Sequence, residues 1–321
     1  MTIDVHGHLI PESLLRNPKF DLALEGMSES GLKIKAWGVT VDAIKKDLFN
    51  PEIQVRSMDA EGIDKRVISL PPFLFGYGKE SSWAENWTRA GNDALSKICA
   101  KSSGRFLGFG IVPLQDPDLA VAEMRRCRHD LDLSGIEIGT QVKGQDLDEA
   151  TFAPFFEEAD RLKCSVLMHP NNVSFGERLS KFYLRNLVGN AMETTICISR
   201  LWLGGFFERY PQIRICLSHG GGAFPFLIGR LRHGSRVRPE IGNRTGCLDL
   251  PSGLYADTVV HDGKVLRYLI DQCGLKSVLL GTDSPFDMGL PDPVRFVRES
   301  VPPAEQSAIL QNNPESFLNP R

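Results

Sequence analysis

The sequence predicts a (β/α)8 barrel, and three observations lead to this prediction. Short apolar, β-branched runs occur eight times along the 321 residues. Stretches with apolar residues at helical spacing separate these runs. The runs are apolar on both faces, which is typical of parallel strands covered by helices. A doubly wound open sheet is the alternative, but the glycine-rich phosphate fingerprint expected after its first strand is missing.

The predicted strands follow one another at intervals that leave room for helices between them. They are residues 2–8, 66–72, 106–114, 134–140, 164–170, 213–221, 254–261 and 277–286. Helical spacing is clearest in residues 51–63, 117–130, 149–163 and 263–274. The first of these begins with Pro51, and proline is favoured in the first turn of a helix. Residues 1–321 are therefore expected to form one barrel domain.

Two stretches are too long to be plain connections of the repeat. Residues 11–48 separate the first strand from its helix, whereas most such connections have about 2–6 residues. Within them, residues 31–42 could form a small hairpin. Residues 174–209 form the second long stretch and contain an apolar helical segment. Insertions after barrel strands surround the active-site mouth, so we expect residues 11–48 to be an insertion or lid there.

Composition and charge exclude several classes of protein. The net charge of −3 gives no overall field that would steer the chain to a nucleic acid or a membrane. No run approaches the ~18 apolar residues of a membrane span. Seven cysteines without a CxxC pair are typical of reduced, buried thiols. Because the N-terminus lacks a secretory signal pattern, we expect a cytoplasmic location.

Histidines and one aspartate stand at the ends of predicted strands. His6 and His8 are two residues apart in the first strand, so both side chains face the same way. His169 ends the fifth predicted strand, His219 lies in the sixth, and Asp283 in the eighth. The carboxyl ends of all barrel strands lie at one mouth, so these side chains are expected to converge. Neutral imidazoles and a carboxylate suit Zn²⁺, and also Mn²⁺ or Fe²⁺.

Each of these residues also has a structural interpretation. A histidine at a strand end can simply be hydrogen-bonded, and Asp283 could cap the helix that follows it. The joint pattern favours a metal site. The glycines after His219 could form an oxyanion hole, but that requires a GxSxG elbow, which the chain lacks. We expect them instead to let the backbone pass close to the site before a helix that begins near Phe224.

These motifs resemble the amidohydrolase superfamily and, within it, the aminocarboxymuconate-semialdehyde decarboxylase group. The similar stretches are IDVHGHLIP (3–11), MDAEGID (58–64), PLQDPDLAVAEM (113–124), ADRLKCS (159–165), HGGGAFPFLIGRLRHG (219–234), YADTVVHD (255–262) and GTDSPF (281–286). The resemblance covers essentially the whole chain. It implies a barrel that holds a single divalent cation, usually zinc, and a decarboxylase activity.

The resemblance also implies roles for individual residues. The metal ligands would be His6, His8, His169 and Asp283. His219 would be an acid or base beside the metal-bound water, and Asp283 is a second candidate for proton transfer. Arg230 matches an arginine that, in relatives, reaches a neighbouring subunit's site and binds the substrate carboxylate. This match implies a homodimer.

The chain departs from these relatives in the expected substrate pocket. Relatives have an arginine in the first loop that binds the substrate carboxylate, and this chain has Asp42 at that position. Asn171 and Asn172 stand where relatives have an aromatic and an acidic residue, and Ser284 stands where they have a tyrosine. The expected substrate contacts are Arg230, Asn172, Asp42 and Phe286. The substrate is then expected to be a hydroxylated or amino-substituted aromatic acid, or a muconate-semialdehyde-type ring-cleavage acid.

Three functions are compatible with such a site. The first is a metal-dependent, non-oxidative decarboxylase of a small carboxylic acid, as in the breakdown of aromatic compounds. The alternative is a hydrolase or hydratase of an amide, a lactone or a ring-cleavage product, with Asp42 and the two asparagines holding a neutral polar substrate. A non-catalytic binding barrel would require an absent or inert metal. Glu137 in the fourth strand could serve a second metal, but a hydrogen-bonded carboxyl within the barrel is favoured.

Overall fold

Helices alternate with strands along most of the chain, whose computed structural model describes residues 1–28, 31–37, 39–241 and 249–319. The strands are β1 (Ile3–His8), β2 (Leu22–Ser28), β3 (Gly31–Ala36), β4 (Val39–Ile44), β5 (Lys65–Ser69), β6 (Phe106–Ile111), β7 (Gly135–Gly139), β8 (Gln141–Val142), β9 (Gln145–Asp146), β10 (Ser165–His169), β11 (Arg214–Leu217), β12 (Leu254–Asp257) and β13 (Val278–Leu279). The α-helices are α1 (Glu12–Leu15), α2 (Pro51–Glu61), α3 (Ser81–Lys101), α4 (Pro117–His129), α5 (Ala153–Arg161), α6 (Ala191–Leu203), α7 (Phe206–Arg209), α8 (Phe224–Val237), α9 (Gly263–Cys273), α10 (Pro293–Ser300), α11 (Pro303–Ser307) and α12 (Asn313–Leu318).

The predicted barrel is confirmed. Strands β1, β5, β6, β7, β10, β11, β12 and β13 lie side by side in this order, and each neighbouring pair is parallel. The chain at and after β13 returns to β1. The amide of Val5 donates to the carbonyl of Leu280 over 2.9 Å, and the amide of Asp283 donates to the carbonyl of His6 over 2.8 Å. These bonds bring the last strand to the first, so the carboxyl ends of the strands share one mouth.

The observed strands lie within the predicted runs or within one residue of them, but several end earlier. The second run was predicted to reach residue 72, whereas β5 ends at Ser69. Pro71 and Pro72 follow, and proline cannot donate to a strand ladder. The eighth run was predicted to reach residue 286, whereas β13 ends at Leu279. Beyond it Asp283 has a φ of +56°, which is incompatible with a strand. This turn lets its carboxylate reach the mouth of the barrel.

A bulge in β1 controls which of its side chains face the barrel interior. In the pairing with β5, β1 advances three residues, from 4 to 7, while β5 advances only two, from 66 to 68. Val5 packs in the apolar interior of the barrel. Strict alternation would turn the next side chain outwards, yet His6 and His8 also face inwards. The bulge therefore sets two imidazoles directly above the apolar interior.

Apolar side chains fill the barrel below these imidazoles. The interior cluster consists of Ile3, Val5, Val67, Phe109, Leu167, Cys216, Leu279, Phe317 and Leu318. Its last two members belong to α12, which therefore contributes apolar side chains to the interior. A larger apolar cluster lies between the strands and the surrounding helices. The interior is packed, as in other parallel barrels, so a ligand site is confined to the carboxyl mouth.

A small antiparallel sheet of β2, β3 and β4 occupies the long first connection. The hairpin expected within residues 31–42 corresponds to β3 and β4, and β2 adds a strand that was not predicted. Trp37 packs edge-on against Trp83 and Trp87 of α3, with ring centroids 5.1 and 5.2 Å apart. Its indole N–H donates to the carbonyl of Phe20 over 2.7 Å. These contacts fasten the small sheet to α3.

The second long stretch, residues 174–209, contains the predicted helical segment as α6. A π-helical turn over Arg185–Asn190 precedes it. The helix expected near Phe224 begins at that residue as α8. Within the described ranges, no helix combines the length and the apolar character that crossing a bilayer requires.

Candidate metal centre

Four side chains from β1, β10 and the turn after β13 surround one point at the barrel mouth. They are His6, His8, His169 and Asp283, all buried, with one donor atom of each within 4.8 Å of the others. Oδ1 of Asp283 lies 3.4 Å from Nε2 of His6 and 3.1 Å from Nε2 of His8. It lies 3.9 Å from Nε2 of His169. The convergence expected from the strand ends is therefore present.

These donor atoms have the spacing and the missing partners that a divalent cation would satisfy. Ligands about 2.0–2.2 Å from a tetrahedral metal are about 3.4 Å apart, close to the separations observed. Nε2 of His169 and Oδ1 of Asp283 are buried and have no hydrogen-bond partner within the described ranges. Such atoms are rare in folded proteins because leaving them unpaired is costly. Three imidazoles and a carboxylate thus fit a divalent metal such as Zn²⁺ or Mn²⁺.

Hydrogen bonds at the outer nitrogens orient two of the imidazoles. Nδ1 of His6 lies 2.6 Å from Oδ2 of Asp257, and Nδ1 of His169 lies 2.9 Å from the carbonyl oxygen of Pro170. Each acceptor places the ring proton on Nδ1 and leaves the Nε2 lone pair facing the shared point. Asp257 also accepts a bond from the amide of Gly220 over 2.8 Å. Asp257 was not among the predicted site residues, because it lies inside the predicted run 254–261, whereas in the structure it ends β12 as His8 ends β1 and His169 ends β10.

The third imidazole contacts a buried polar pair. Nδ1 of His8 lies 3.3 Å from Oγ of Ser69, whose hydroxyl also donates to Oε2 of Glu137. That carboxyl is fully buried, and its Oε1 has no hydrogen-bond partner in the part of the chain that is described. Burial raises the pKa of Glu137 to about 8. Glu137 lies behind His8 as a hydrogen-bonded carboxyl and is not one of the four converging side chains.

Asp283 carries the negative charge of the centre. Burial opposes its ionisation, but the neighbouring histidines, His6 first among them, hold the pKa of Asp283 well below its usual range. Burial lowers the pKa of His8 and, more strongly, that of His169. The pKa of His6 is raised because two carboxylate neighbours outweigh the effect of burial. Neutral imidazoles and an ionised carboxylate are the forms that bind a cation, which would compete with the proton on His6.

His219 lies at the rim of the same site. Its Nε2 is 3.3 Å from Oδ2 of Asp283, and its ring centroid is 4.7 Å from that of His169. The His219 side chain is 20% exposed, whereas the four converging side chains are at most 8% exposed. His219 is therefore placed to exchange a proton with a molecule that lies over the four buried groups.

The glycines after His219 allow the backbone to turn close beneath the site. Gly220, Gly221 and Gly222 have φ values of +63°, +76° and +62°, which favour glycine. A Cβ on Gly222 would lie only 2.1 Å from the carbonyl oxygen of Ala191. The turn also brings the Gly220 amide to the carboxylate that orients His6. The close backbone passage expected from these glycines is confirmed.

A cavity of about 350 Å³ opens above the cluster. Its floor includes His169, His219 and Asp283. Apolar side chains from the segments after β1, β5 and β13 line part of it: Val41, Pro72, Phe73, Phe286 and Met288. Polar side chains from the segment after β10 line another part: Asn171, Asn172, Arg185, Asn186 and Asn190. Because β10 is fifth in the strand order while β13, β1 and β5 are neighbours around the closure, the two parts lie on opposite sides of the mouth. A flat molecule with an apolar ring face and several polar substituents suits this shape.

Two of the four predicted substrate contacts lie in this cavity. Asn172 and Phe286 line it. Arg230 lies exposed on α8 and is not among the described residues that line the cavity of its own chain. The side chain of Asp42 lies outside the described part of the structure. The strand that carries it, β4, contributes Val41 to the cavity.

Arg185 is a cavity residue that the sequence did not predict. It begins the π-helical turn Arg185–Asn190, inside the long stretch 174–209. The sequence does not indicate that Arg185 faces the cavity, because the segment has neither the hydrophobic period of a strand nor that of a regular α-helix. Only the fold determines which side chain of such a segment faces the cavity.

A parallel barrel with three histidines and an aspartate at its carboxyl mouth is the architecture of a metal-dependent barrel enzyme. The chain belongs to the amidohydrolase family, whose sequence model matches residues 3–319.

Its curated relatives are decarboxylases. The chain is 32% identical over 297 residues to the 2-amino-3-carboxymuconate-6-semialdehyde decarboxylase of Dictyostelium discoideum, a match that covers 90% of this chain and 83% of that protein. It is 29% identical over 254 residues to the gamma-resorcylate decarboxylase of a Rhizobium species, covering 74% and 77% of the two chains. These matches place the chain among the decarboxylases of the amidohydrolase family.

A solved structure shares the fold. The 5-carboxyvanillate decarboxylase of Novosphingobium aromaticivorans, determined with bound manganese and 3-methoxy-4-hydroxy-5-nitrobenzoic acid, superposes with a TM-score of 0.83. The two chains are 21% identical, and the match covers 99% of this chain and 97% of that one. At this identity the likeness establishes the common barrel.

Proposed function

We propose that the protein is a metal-dependent, non-oxidative decarboxylase. Its substrate would be a hydroxylated or amino-substituted aromatic acid, or a muconate-semialdehyde-type ring-cleavage acid. The observation that carries this proposal is a cluster of four buried, converging donor groups, two of which, His169 and Asp283, also line a cavity with apolar and polar walls. The activities named for the relatives from Dictyostelium and Rhizobium support it.

The cation would be held by Nε2 of the three histidines and by the carboxylate of Asp283. Zn²⁺ is the metal that this donor set favours, and the manganese in the Novosphingobium enzyme makes Mn²⁺ the alternative. When bound, such a cation supplies Lewis acidity that polarises a carboxylate or an ortho hydroxyl oxygen of the substrate.

The protein must also deliver one proton. When the bond between the ring carbon and the carboxylate breaks, CO₂ leaves and the electron pair remains on that carbon, where a proton must arrive. His219 is our first candidate for this transfer, because its partly exposed ring faces the cavity. Asp283, 3.3 Å from Nε2 of His219, is the second candidate and could also relay the proton to that ring.

Side chains of the cavity walls would position the substrate. We assign Phe286, whose ring centroid lies 5.4 Å from that of His8, to the face of the substrate ring, and Asn172 to a polar substituent. We assign Asp42 to the same pocket and residues 11–48 to a lid over it. Val41 in β4 lines the cavity and supports the assignment of residues 11–48 to a lid.

We further propose a homodimer in which Arg230 approaches the partner's site. Phe226 is 75% exposed on α8 and lies four residues before Arg230, on the same face of the helix. Phe182 is 84% exposed near the cavity segment. Phe226 also lies beside Tyr268, with ring centroids 6.4 Å apart. Adjacent exposed aromatic rings are typical of surfaces that another protein covers, and a second copy of this chain is the occupant that we propose.

A hydrolase or hydratase is the second candidate, favoured by one observation. Four asparagine side chains line the polar side of the cavity: Asn171, Asn172, Asn186 and Asn190. Amides suit a neutral amide or lactone as well as they suit an acid.

The test is a screen of the metal-replete protein against hydroxybenzoic, aminobenzoic and muconic acids, and against matching amides and lactones. CO₂ release is followed together with absorbance and product mass. We expect CO₂ to form in stoichiometric amount with a product that lacks one carboxyl group. Metal-stripped protein is the control. Products that gain the elements of water without loss of CO₂ would replace the proposal by the hydrolase or hydratase.

A further inference from the structure

One positively charged side chain, that of Arg185, lies in the wall of the cavity. Among the described residues that line it, Arg185 is the single lysine or arginine. It belongs to the polar side, next to Asn186, and shares the cavity with His219 and Asp283 of the floor. A permanent positive charge therefore borders the space in which the substrate would lie.

This guanidinium has no strong partner. Its Nη2 lies 3.5 Å from Oδ1 of Asn172, at the outer limit of a hydrogen bond. In the part of the chain that the structure describes, Arg185 forms no ion pair with a carboxylate, although Asp287 lines the same cavity. By contrast, Arg161 on α5 donates twice to Glu158. The donors of Arg185 are thus available to a ligand in the cavity.

The opposite side of the cavity limits how a ligand can lie. Phe73 and Phe286 are apolar and suit the face of a ring. The floor would take the carboxylate that is to be lost. A substituent on the polar edge of the same ring then points towards the side that carries Arg185 and Asn172. A planar guanidinium pairs with a carboxylate through two parallel hydrogen bonds, and an amide N–H beside it adds a third.

We propose that Arg185 and Asn172 form an anion subsite that binds a second acidic group of the substrate, either another carboxylate or an ionised phenol. The inference rests on the proposed function, because the first carboxylate is assigned to the floor. It narrows the substrate class to acids with two anionic groups on one planar frame. Asn172 accepts from Arg185, which leaves its amide nitrogen to donate to the same anion.

The experiment measures binding without turnover. Isophthalate and benzoate are titrated calorimetrically into the metal-loaded protein, since they differ only by one carboxylate. We expect isophthalate to bind about tenfold more tightly, and Arg185→Gln to reduce this preference to about twofold while leaving the benzoate affinity within about twofold. Arg185→Lys should give an intermediate preference, because lysine keeps the positive charge but lacks the planar guanidinium that donates two parallel hydrogen bonds. Arg178→Gln is the matched control, an exposed arginine in the same segment but outside the cavity.

Three results would overturn the subsite: isophthalate that binds no more tightly than benzoate, equal weakening of both probes in Arg185→Gln, or an unchanged preference in that variant. Thermal unfolding of each variant confirms that the fold is retained. Failure of the proposed function is a separate outcome. If no acid in the screen releases CO₂ but the isophthalate preference still depends on Arg185, the anion subsite stands and the decarboxylase assignment does not.

Discussion

Nδ1 of His6 lies 2.6 Å from Oδ2 of Asp257, although the two residues are 251 positions apart in the chain. The bond holds the ring proton on the side away from the shared point. We expect Asp257→Asn to weaken metal binding about 10–100-fold, because the amide can present a donor to Nδ1 and favour the wrong tautomer. Competition with a chromophoric chelator measures this affinity. Affinity unchanged within error would mean that Asp257 does not orient His6.

His169→Ala tests the ligand set. Its Nε2 is buried without a partner and is one of the four converging atoms. Removing one of four protein ligands should leave purified protein with little or no bound metal, which elemental analysis after gel filtration determines. A full equivalent of metal in the variant would remove His169 from the set.

His219→Ala, unlike His169→Ala, should retain bound metal and lose turnover. The side chain lies at the rim and outside the four-atom cluster, so the variant should keep its metal. Turnover should fall by roughly 10²–10⁴, the usual contribution of a general acid or base. Single-turnover assays on metal-loaded protein check this loss against the metal content of the same sample. Full activity would show that another group transfers the proton.

The α8 surface predicts an oligomeric state. Phe226→Asp should shift the protein from the proposed dimer to a monomer in light-scattering measurements, since it replaces an exposed aromatic ring of the proposed interface by a charge. Tyr268→Phe nearby is the control, because it keeps the apolar ring while removing one hydroxyl. A wild-type protein that is already monomeric would reject the homodimer.

The carboxylate of Glu158, which is outside the metal centre, leads to a predicted pH dependence of the free energy of unfolding. Arg161 and Arg125 hold the pKa of Glu158 at about 2, against an ordinary value of 4.5. A lowered pKa stabilises the folded state fully above the ordinary value and loses this effect as the pH falls towards 2. Glu158→Gln should therefore lower the free energy of unfolding by on the order of 1 kcal/mol at pH 7 and by less than half of that at pH 3.

Urea unfolding of the wild type and Glu158→Gln at both pH values gives the comparison. Glu157→Gln on the same helix is the control, since Glu157 is exposed and makes no ion pair with Arg125 or Arg161 among the described residues. A difference between wild type and Glu158→Gln that grows as the pH falls would contradict the assigned cause.

Much of the barrel and half of the site follow from local patterns. Apolar runs of strand length and helices between them predicted all eight barrel strands, because backbone sterics and side-chain alternation act over a few residues. His6 and His8 were placed on one face by the same alternation, and the strand-end positions of His169, His219 and Asp283 predicted that these three converge with them. The resemblance then separated His219 from the four expected ligands. These residues end or follow strands, and parallel strands in a barrel all end at one mouth.

Other features depend on how distant segments meet. The bulge in β1, the bond from His6 to Asp257 and the entry of Arg185 into the cavity wall have no local signal. They depend on strand register, on closure of the barrel and on the path of an irregular turn, each set by packing between residues far apart in the chain. Sequence patterns therefore indicated which chemistry the chain carries. The tertiary structure decided which groups orient the histidines and which charged side chain borders the cavity, because those neighbours are brought together only when the barrel closes.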